Sequence, residues 1–391
     1  MRSLNNKSPI QLLSNLWQFS GKWISISILF FLVSALTTNT FLIKWGLNEK
    51  VPDYSFVAMI EGNASRPFVY RRMIPEMVKG IEYIAPPLLV SKVFDLFEIK
   101  DRAGDFMLGN CRWEKYENIH CMGKGWEDSK FRFRYLVTYG LMFAFAFFSL
   151  WVMRSVCMAI SPGSNLHEIF PVIFFICLPV TFVRGGYFYD FSELFFLFTL
   201  VLAALRERWL LFCVICPIAV INKETIVIVP LLMAPLLVTR LSKYRALVVV
   251  VVATALAALV SEYIKHQFKL NAGGERLFHW WENFDFWISK EPWFSFYLPV
   301  SAFIPFPSPA NLLSLMAISY IWMRFARYAP TEFRLFLALS MCVSGLLSLV
   351  WGYRDEVRNL SLAFPAIFIC VYAGWNSRPA PNSQTPLLGG R

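Results

Sequence analysis

The chain has 391 residues, 57% of them hydrophobic and only 16% charged, with a mean hydropathy of +0.50. That balance excludes an ordinary soluble domain, in which about 25% of residues are charged. The 37 Lys and Arg against 26 Asp and Glu leave a formal charge of +11. In so apolar a chain this excess speaks for cytoplasmic loops and anionic lipid headgroups rather than for nucleic acid.

In chain order, apolar segments at about 24–43, 134–155, 168–184, 190–206, 208–221, 225–239, 245–264, 308–325, 333–351 and 360–376 read as membrane spans, several of them near the ~20 residues that cross a bilayer. The first follows a stretch carrying Arg2, Lys7 and Lys22 and lacks a small-x-small exit, so it is expected to stay in the mature chain with its N-terminus cytoplasmic. Counting from there puts Arg206 and Arg208, then Arg240, Lys243 and Arg245, then Arg324, Arg327 and Arg334 in short cytoplasmic connections, the positive-inside pattern. Segments 168–184, 208–221 and 225–239 are short enough to be half-helices or a hairpin. The expected fold is an all-α polytopic membrane protein of about 10 transmembrane helices. It forms one domain over 1–376, and a disordered cytoplasmic tail over 377–391 carries Pro379, Pro381 and Pro386.

Two long extracytoplasmic segments follow, 44–133 and 265–307. The first mixes apolar and charged residues at helical spacing over 68–84 and 86–97, as amphipathic helices on the membrane interface do. The second holds His279, Trp280, Trp281, Trp287, Trp293, Phe294, Phe296 and Tyr297, either an aromatic belt at headgroup depth or a wall for a lipid-linked or carbohydrate substrate. Six of the eight cysteines fall in or beside spans, Cys213 and Cys216 as a C-x-x-C among apolar neighbours. They read as small apolar side chains. Cys111 and Cys121, alone in the hydrophilic first loop, are expected to form a disulfide.

Polar knots interrupt the apolar segments at Arg184-Gly-Gly-Tyr-Phe-Tyr-Asp190, Asn222-Lys-Glu224 and Arg354-Asp-Glu-Val-Arg358, and the span count puts all three on the extracytoplasmic side. That side also collects Asp53, Glu61, Arg66, Arg71, Arg72, Glu76 and Glu193. Charge at a bilayer edge is costly unless it is paired or faces water, so the knots are expected to border one polar cavity. Lys223 beside Glu224 suits either a salt bridge within a tight turn or a substrate contact. Arg354 and Arg358, four residues apart, suit an anion site at a helix start, with Asp355 and Glu356 at its positive end.

Several of these stretches resemble the GT-C class of integral-membrane glycosyltransferases, in its loosely related bacterial members. Asp53-Tyr54 followed by Arg66-Pro-Phe-Val-Tyr-Arg71 and Pro75 is similar to their first-loop pattern, and Tyr189-Asp190-Phe191 to their next outer turn. Asn222-Lys-Glu224-Thr is similar to a recurrent Lys-Glu-Thr turn, and Asp355-Glu356-Val-Arg358 with Pro365 to a late Glu-x-Arg element. The likeness covers most of the chain as architecture and about 25 residues as motif. It implies transfer of a sugar from a polyprenyl-phosphate donor to a glycan or lipid acceptor in the cell envelope, in a bacterial inner (plasma) membrane with both termini cytoplasmic. Asp53 would be the catalytic carboxylate of the first loop, acting as base or orienting the acceptor hydroxyl. Arg71, Arg72, Asp190, Lys223, Glu224, Arg354, Glu356 and Arg358 would be substrate-binding, the cations among them holding the phosphate.

The chemistry agrees: a carboxylate accepts the acceptor's proton as an inverting attack develops, and cations stabilise the leaving phosphate. No cofactor and no metal are called for. Many members carry an acidic pair directly after the first span, whereas Asp53 is single, with Glu49 and Glu61 the nearest other acids. The competing readings are a transporter or flippase for lipid-linked sugars and a non-catalytic scaffold of the same fold.

Overall fold

The computed structural model describes residues 9–44, 46–47, 51–96, 128–181, 186–274, 278–297, 306–354 and 356–378. Cys111 and Cys121, Arg184, Asp355 and all but the first two residues of the expected tail lie outside the described residues.

Several helix ends carry a local start or stop signal. Helix α1 runs over Pro9–Lys44. In the first loop, α2 (Phe56–Glu61) is capped by Ser55, whose hydroxyl accepts from the Ala58 N–H at 3.1 Å, and it ends on Gly62 at φ +83°. That left-handed position favours glycine. Helices α3 (Met73–Ile84) and α4 (Pro87–Leu96) follow on either side of Ala85-Pro86. Asp128 caps the long α5 (Ser129–Ile160), accepting from the Lys130 N–H at 2.9 Å.

The apolar remainder of the chain continues as α6 (Ile169–Thr181), α7 (Asp190–Leu205) and α8 (Trp209–Asn222). The next segment breaks into a 3-10 turn over Glu224–Ile228, α9 (Val229–Leu232) and α10 (Ala234–Arg240), with Pro230 and Pro235 each unable to continue the preceding hydrogen-bond ladder. Then come α11 (Lys243–Gln267), α12 (Trp280–Ile288) and α13 (Glu291–Phe294). A two-residue antiparallel pairing of Phe296–Tyr297 with Phe306–Pro307 precedes α14 (Leu312–Phe325) and α15 (Thr331–Trp351). A 3-10 segment, Val357–Ala363, leads straight into α16 (Phe364–Asn376).

The architecture is that of an all-α membrane protein. Among the described residues, five helical stretches are long and apolar enough to cross a bilayer: Gly21–Leu42, Ser129–Ile160, Lys243–Gln267, Thr331–Trp351 and Val357–Asn376. The 21 residues of α15 rise about 31 Å, close to the ~30 Å hydrocarbon core. The other five apolar segments are helical but shorter. The 13 residues of α6, 16 of α7 and 14 of α8 and of α14 rise only about 20–24 Å.

Helices α5 and α7 form the main seam, α8 packs on α11, and α1 lies against α5 and α6. Aromatic rings fill the interior, with the buried Phe198 and the partly buried Phe174 and Phe170 all meeting Phe368. On α11 the buried stripe Ala246, Val249, Val250, Ala253, Ala257, Ser261 and Ile264 faces the protein, while Leu247, Val251 and Leu259 face outward. Four small residues on the packed side, Ala246, Ala253, Ala257 and Ser261, let a neighbouring helix approach closely, as in membrane helix packing. Cys213 and Cys216 are buried free thiols.

Candidate functional site

The ends of α1, α8, α11 and α15, and the starts of α7 and of the 357–363 segment, gather at one end of the helices. With the first loop they enclose a cavity of about 940 Å³. Asp53, Arg71, Lys223, Glu224, Glu356 and Arg358 all line it, together with Tyr54, Arg66, Phe68, Tyr187 and Tyr189. These residues come from four distant parts of the chain, 53–71, 187–189, 223–224 and 356–358, and share one space.

Most of the charges in it are paired. Arg71 reaches across from the first loop to Glu224 at 3.2 Å and donates to the Tyr189 hydroxyl. Burial by itself works against the charge on Arg71, but Glu224 and the neighbouring phenols raise its pKa above the usual arginine value. On the other side of the pair, burial opposes ionisation of Glu224, and the Arg71 guanidinium outweighs it, holding the carboxyl below its ordinary range. Lys223 donates to both oxygens of Glu193 at 3.0 and 2.8 Å, and to Ser361 Oγ at 3.3 Å. Ser361 in turn donates to Glu193 Oε1 at 2.6 Å. Arg358 binds Glu356 at 2.8 Å and lies 3.8 Å from Asp190. Glu356 also accepts from Asn359 at 2.9 Å. Burial opposes its charge too, but Arg358 keeps its pKa low.

Between the two arginines stands an aromatic column. Tyr187 and Tyr189 stack at 5.2 Å, with the Arg358 guanidinium 4.3 Å from the Tyr187 centroid and Arg71 4.8 Å from that of Tyr189. Cation–π contacts of this kind are worth more where water is excluded. Asn222, 1% exposed, ties the turn together: its amide donates to the Tyr189 carbonyl at 3.1 Å, and its oxygen accepts from Ser192 at 2.5 Å.

Asp53 differs. It is exposed at the cavity, on a 3-10 turn over Pro52–Tyr54, and accepts from Ser65 Oγ at 2.6 Å. Among the described carboxylates that line the cavity, Glu224, Glu262 and Glu356 each have a basic partner and Asp53 has none.

Three of the residues expected at the site do not line the cavity. Arg72 is buried and donates to the Met59 and Ile60 carbonyls and to Glu76; it closes the C-terminal end of α2, where carbonyls lack partners within the helix. Asp190 accepts from the Tyr187 N–H at 2.9 Å and so shapes the turn into α7, touching the cavity only through Arg358. Arg354 is not on a helix shared with Arg358. It sits at φ +50° in the turn after α15, its N–H held by Asn283 Oδ1 at 2.6 Å and its guanidinium over Phe286 and Tyr353. The helical spacing expected of the two arginines fails because the segment that follows is a 3-10 helix starting only at Val357.

Five contributing residues went unassigned by sequence reasoning. Glu193 (1% exposed) and Ser361 form the buried seat of Lys223, and the Tyr187/Tyr189 column was signalled only by the Tyr-Phe-Tyr alternation that puts both rings on one side. Asn283, 0% exposed, donates to the Ser348, Leu349 and Gly352 carbonyls and so docks α12 onto the end of α15. A single buried Asn on an aromatic helix gives no such signal in a sequence. Among the described residues no group of three or more His, Cys, Asp or Glu could hold a metal ion. The chain matches no family model, no curated protein and no solved structure.

Proposed function

We propose that the chain is a GT-C-like membrane glycosyltransferase moving a sugar from a polyprenyl-phosphate donor to an envelope or exported-glycan acceptor. In this reading the ten apolar segments are crossings and the cavity opens on the extracytoplasmic face. The observation that carries the proposal is Asp53: among the described residues it is an exposed carboxylate without a basic partner, in a cavity whose other described carboxylates are neutralised. A carboxylate so placed is suited to accept the acceptor hydroxyl's proton as the sugar is displaced. The cavity's size is in the range of small-molecule sites. Its lining passes from ions and phenols to Val227, Ile228, Ala258, Leu347 and Leu362, which suits a ligand with a polar head and a hydrocarbon chain. A route for transport calls for polar groups along the middle of the spans; the cavity's charges gather at one end of the helices.

The test is incubation of the purified protein with a panel of radiolabelled polyprenyl-phosphate sugars, scoring transfer and hydrolysis. Asp53→Asn keeps an oxygen for Ser65 and the shape of the turn but removes the proton acceptor, so turnover is expected to fall about 10²–10⁴-fold with folding unchanged. Full turnover in Asp53→Asn removes the base assignment. Inertness of the folded wild type towards the whole panel removes the enzyme reading and leaves the non-catalytic one.

A further inference from the structure

Five Arg and Lys side chains line the cavity: Arg66, Arg71, Lys223, Lys265 and Arg358. Four have a carboxylate within ion-pair distance, Glu224 for Arg71, Glu193 for Lys223, Glu262 for Lys265 and Glu356 for Arg358. Arg66 has none among the described residues. Its Nη2 donates to the Gly273 carbonyl at 2.5 Å, and its Nε is buried without a partner. A guanidinium carries five N–H donors in a fixed fork and keeps its charge in proteins. Leaving one half-buried with no anion costs free energy that a bound anion recovers.

The backbone beneath this side chain is held on both sides. The Arg66 N–H donates to the Ala272 carbonyl at 2.8 Å, and Arg66 and Gly273 form a parallel bridge. Asn271 Nδ2 donates to the Gly62 and Ala64 carbonyls at 2.8 and 3.0 Å. Ser65, next to Arg66, is the residue that holds Asp53 through its hydroxyl and whose N–H donates to the Asp53 carbonyl at 2.7 Å. Among the described residues, the cavity's one unpaired carboxylate and its one unpaired guanidinium therefore sit on a single fixed strap, without forming a salt bridge to each other.

We propose that Arg66 is the anion receptor of the cavity and holds a phosphoryl group borne on a hydrocarbon chain, the chain lying along the apolar lining of Val227, Ile228, Ala258, Leu347 and Leu362. The better-partnered Arg71, Lys223 and Arg358 shape the site rather than bind this group. The inference rests on the proposed function for the kind of ligand, but its charge argument does not depend on sugar transfer.

The experiment uses the full chain in lipid nanodiscs and three probes: farnesyl phosphate, farnesol and inorganic phosphate. Wild type is expected to bind farnesyl phosphate. Arg66→Gln, which keeps a donor for the Gly273 carbonyl, should weaken that binding about 10- to 100-fold, the scale of one or two charge-assisted hydrogen bonds. Arg66→Lys should restore much of it, and farnesol should not distinguish the variants. Unchanged binding in a folded Arg66→Gln overturns the inference while leaving the transferase reading standing, as does Arg66-independent binding of all three probes. Arg66-dependent binding of inorganic phosphate as tight as that of farnesyl phosphate overturns the lipid-borne part, and no binding of any probe by wild type overturns the whole. Arg66-dependent binding of farnesyl phosphate without any sugar transfer upholds this inference and sinks the transferase.

Discussion

Lys223 shows how burial changes the meaning of a charged residue. At the level of the tripeptide Asn222-Lys-Glu224 it offers an ammonium at a bilayer edge, as open to ligand as to protein. In the folded chain its three contacts go to the two Glu193 oxygens and Ser361, so no donor remains for a substrate. Removing one partner of such a pair leaves the other as an uncompensated buried charge. Lys223→Ala is therefore expected to cost about 3–5 kcal/mol, read as a lowered unfolding midpoint in detergent. Replacing both partners by apolar residues, Lys223→Met with Glu193→Leu, should recover most of that loss. A double variant as unstable as the single one would show that the pair's charge balance is not what matters.

At the scale of elements, the cavity walls are held by two short connections rather than by the spans themselves. One joins the first loop to the turn after α11, where Gly273 adopts φ +82° and a Cβ would fall 2.7 Å from the Arg66 carbonyl oxygen. Gly273→Ala is expected to destabilise this strap by about 1–2 kcal/mol from the backbone conformation alone, and by more once the crowding is relieved. Faster proteolysis within 268–279, with the spans still protected, is the readout. Unchanged protection would place the strap's rigidity elsewhere. The other connection is Asn283, which docks α12 onto α15 and leaves Trp281 and Ile288 on the outward side. The aromatic segment thus serves partly as a wall behind the cavity, with His279 on the lining, and partly as exposed apolar surface.

For the whole molecule, the charged side chains gather at two opposite sets of helix ends. Away from the cavity, Arg154 at the far end of α5 binds Glu168 at 3.2 Å, Glu168 meets Lys22 at 3.5 Å, and the Arg154 guanidinium lies over Trp23. If the proposed topology holds, a cysteine at the exposed Tyr353 should react with an impermeant reagent from outside, and one at the exposed Lys243 only after the membrane is opened. The reverse pattern would invert the protein and put the cavity on the cytoplasmic side.

Hydropathy by itself determined that this is a helical membrane chain and roughly where its apolar helices lie, because the cost of exposing backbone and charge to hydrocarbon acts on every window of residues. Counting alternate spans also led to the expectation that the polar knots lie at one end, and Tyr187, Lys223 and Arg358 do line one cavity. Only the tertiary structure decided which charges bind each other. Arg71 meets Glu224 from 153 residues away and Lys223 meets Ser361 from 138, distances over which no periodicity or local spacing carries information. Sequence treats Arg66, Arg71, Arg72, Arg354 and Arg358 alike as cations beside a membrane. Folding separates a helix end-cap, a turn anchor, two ion-paired arginines and one left open to the cavity, because an ion pair depends on a few ångströms of three-dimensional approach.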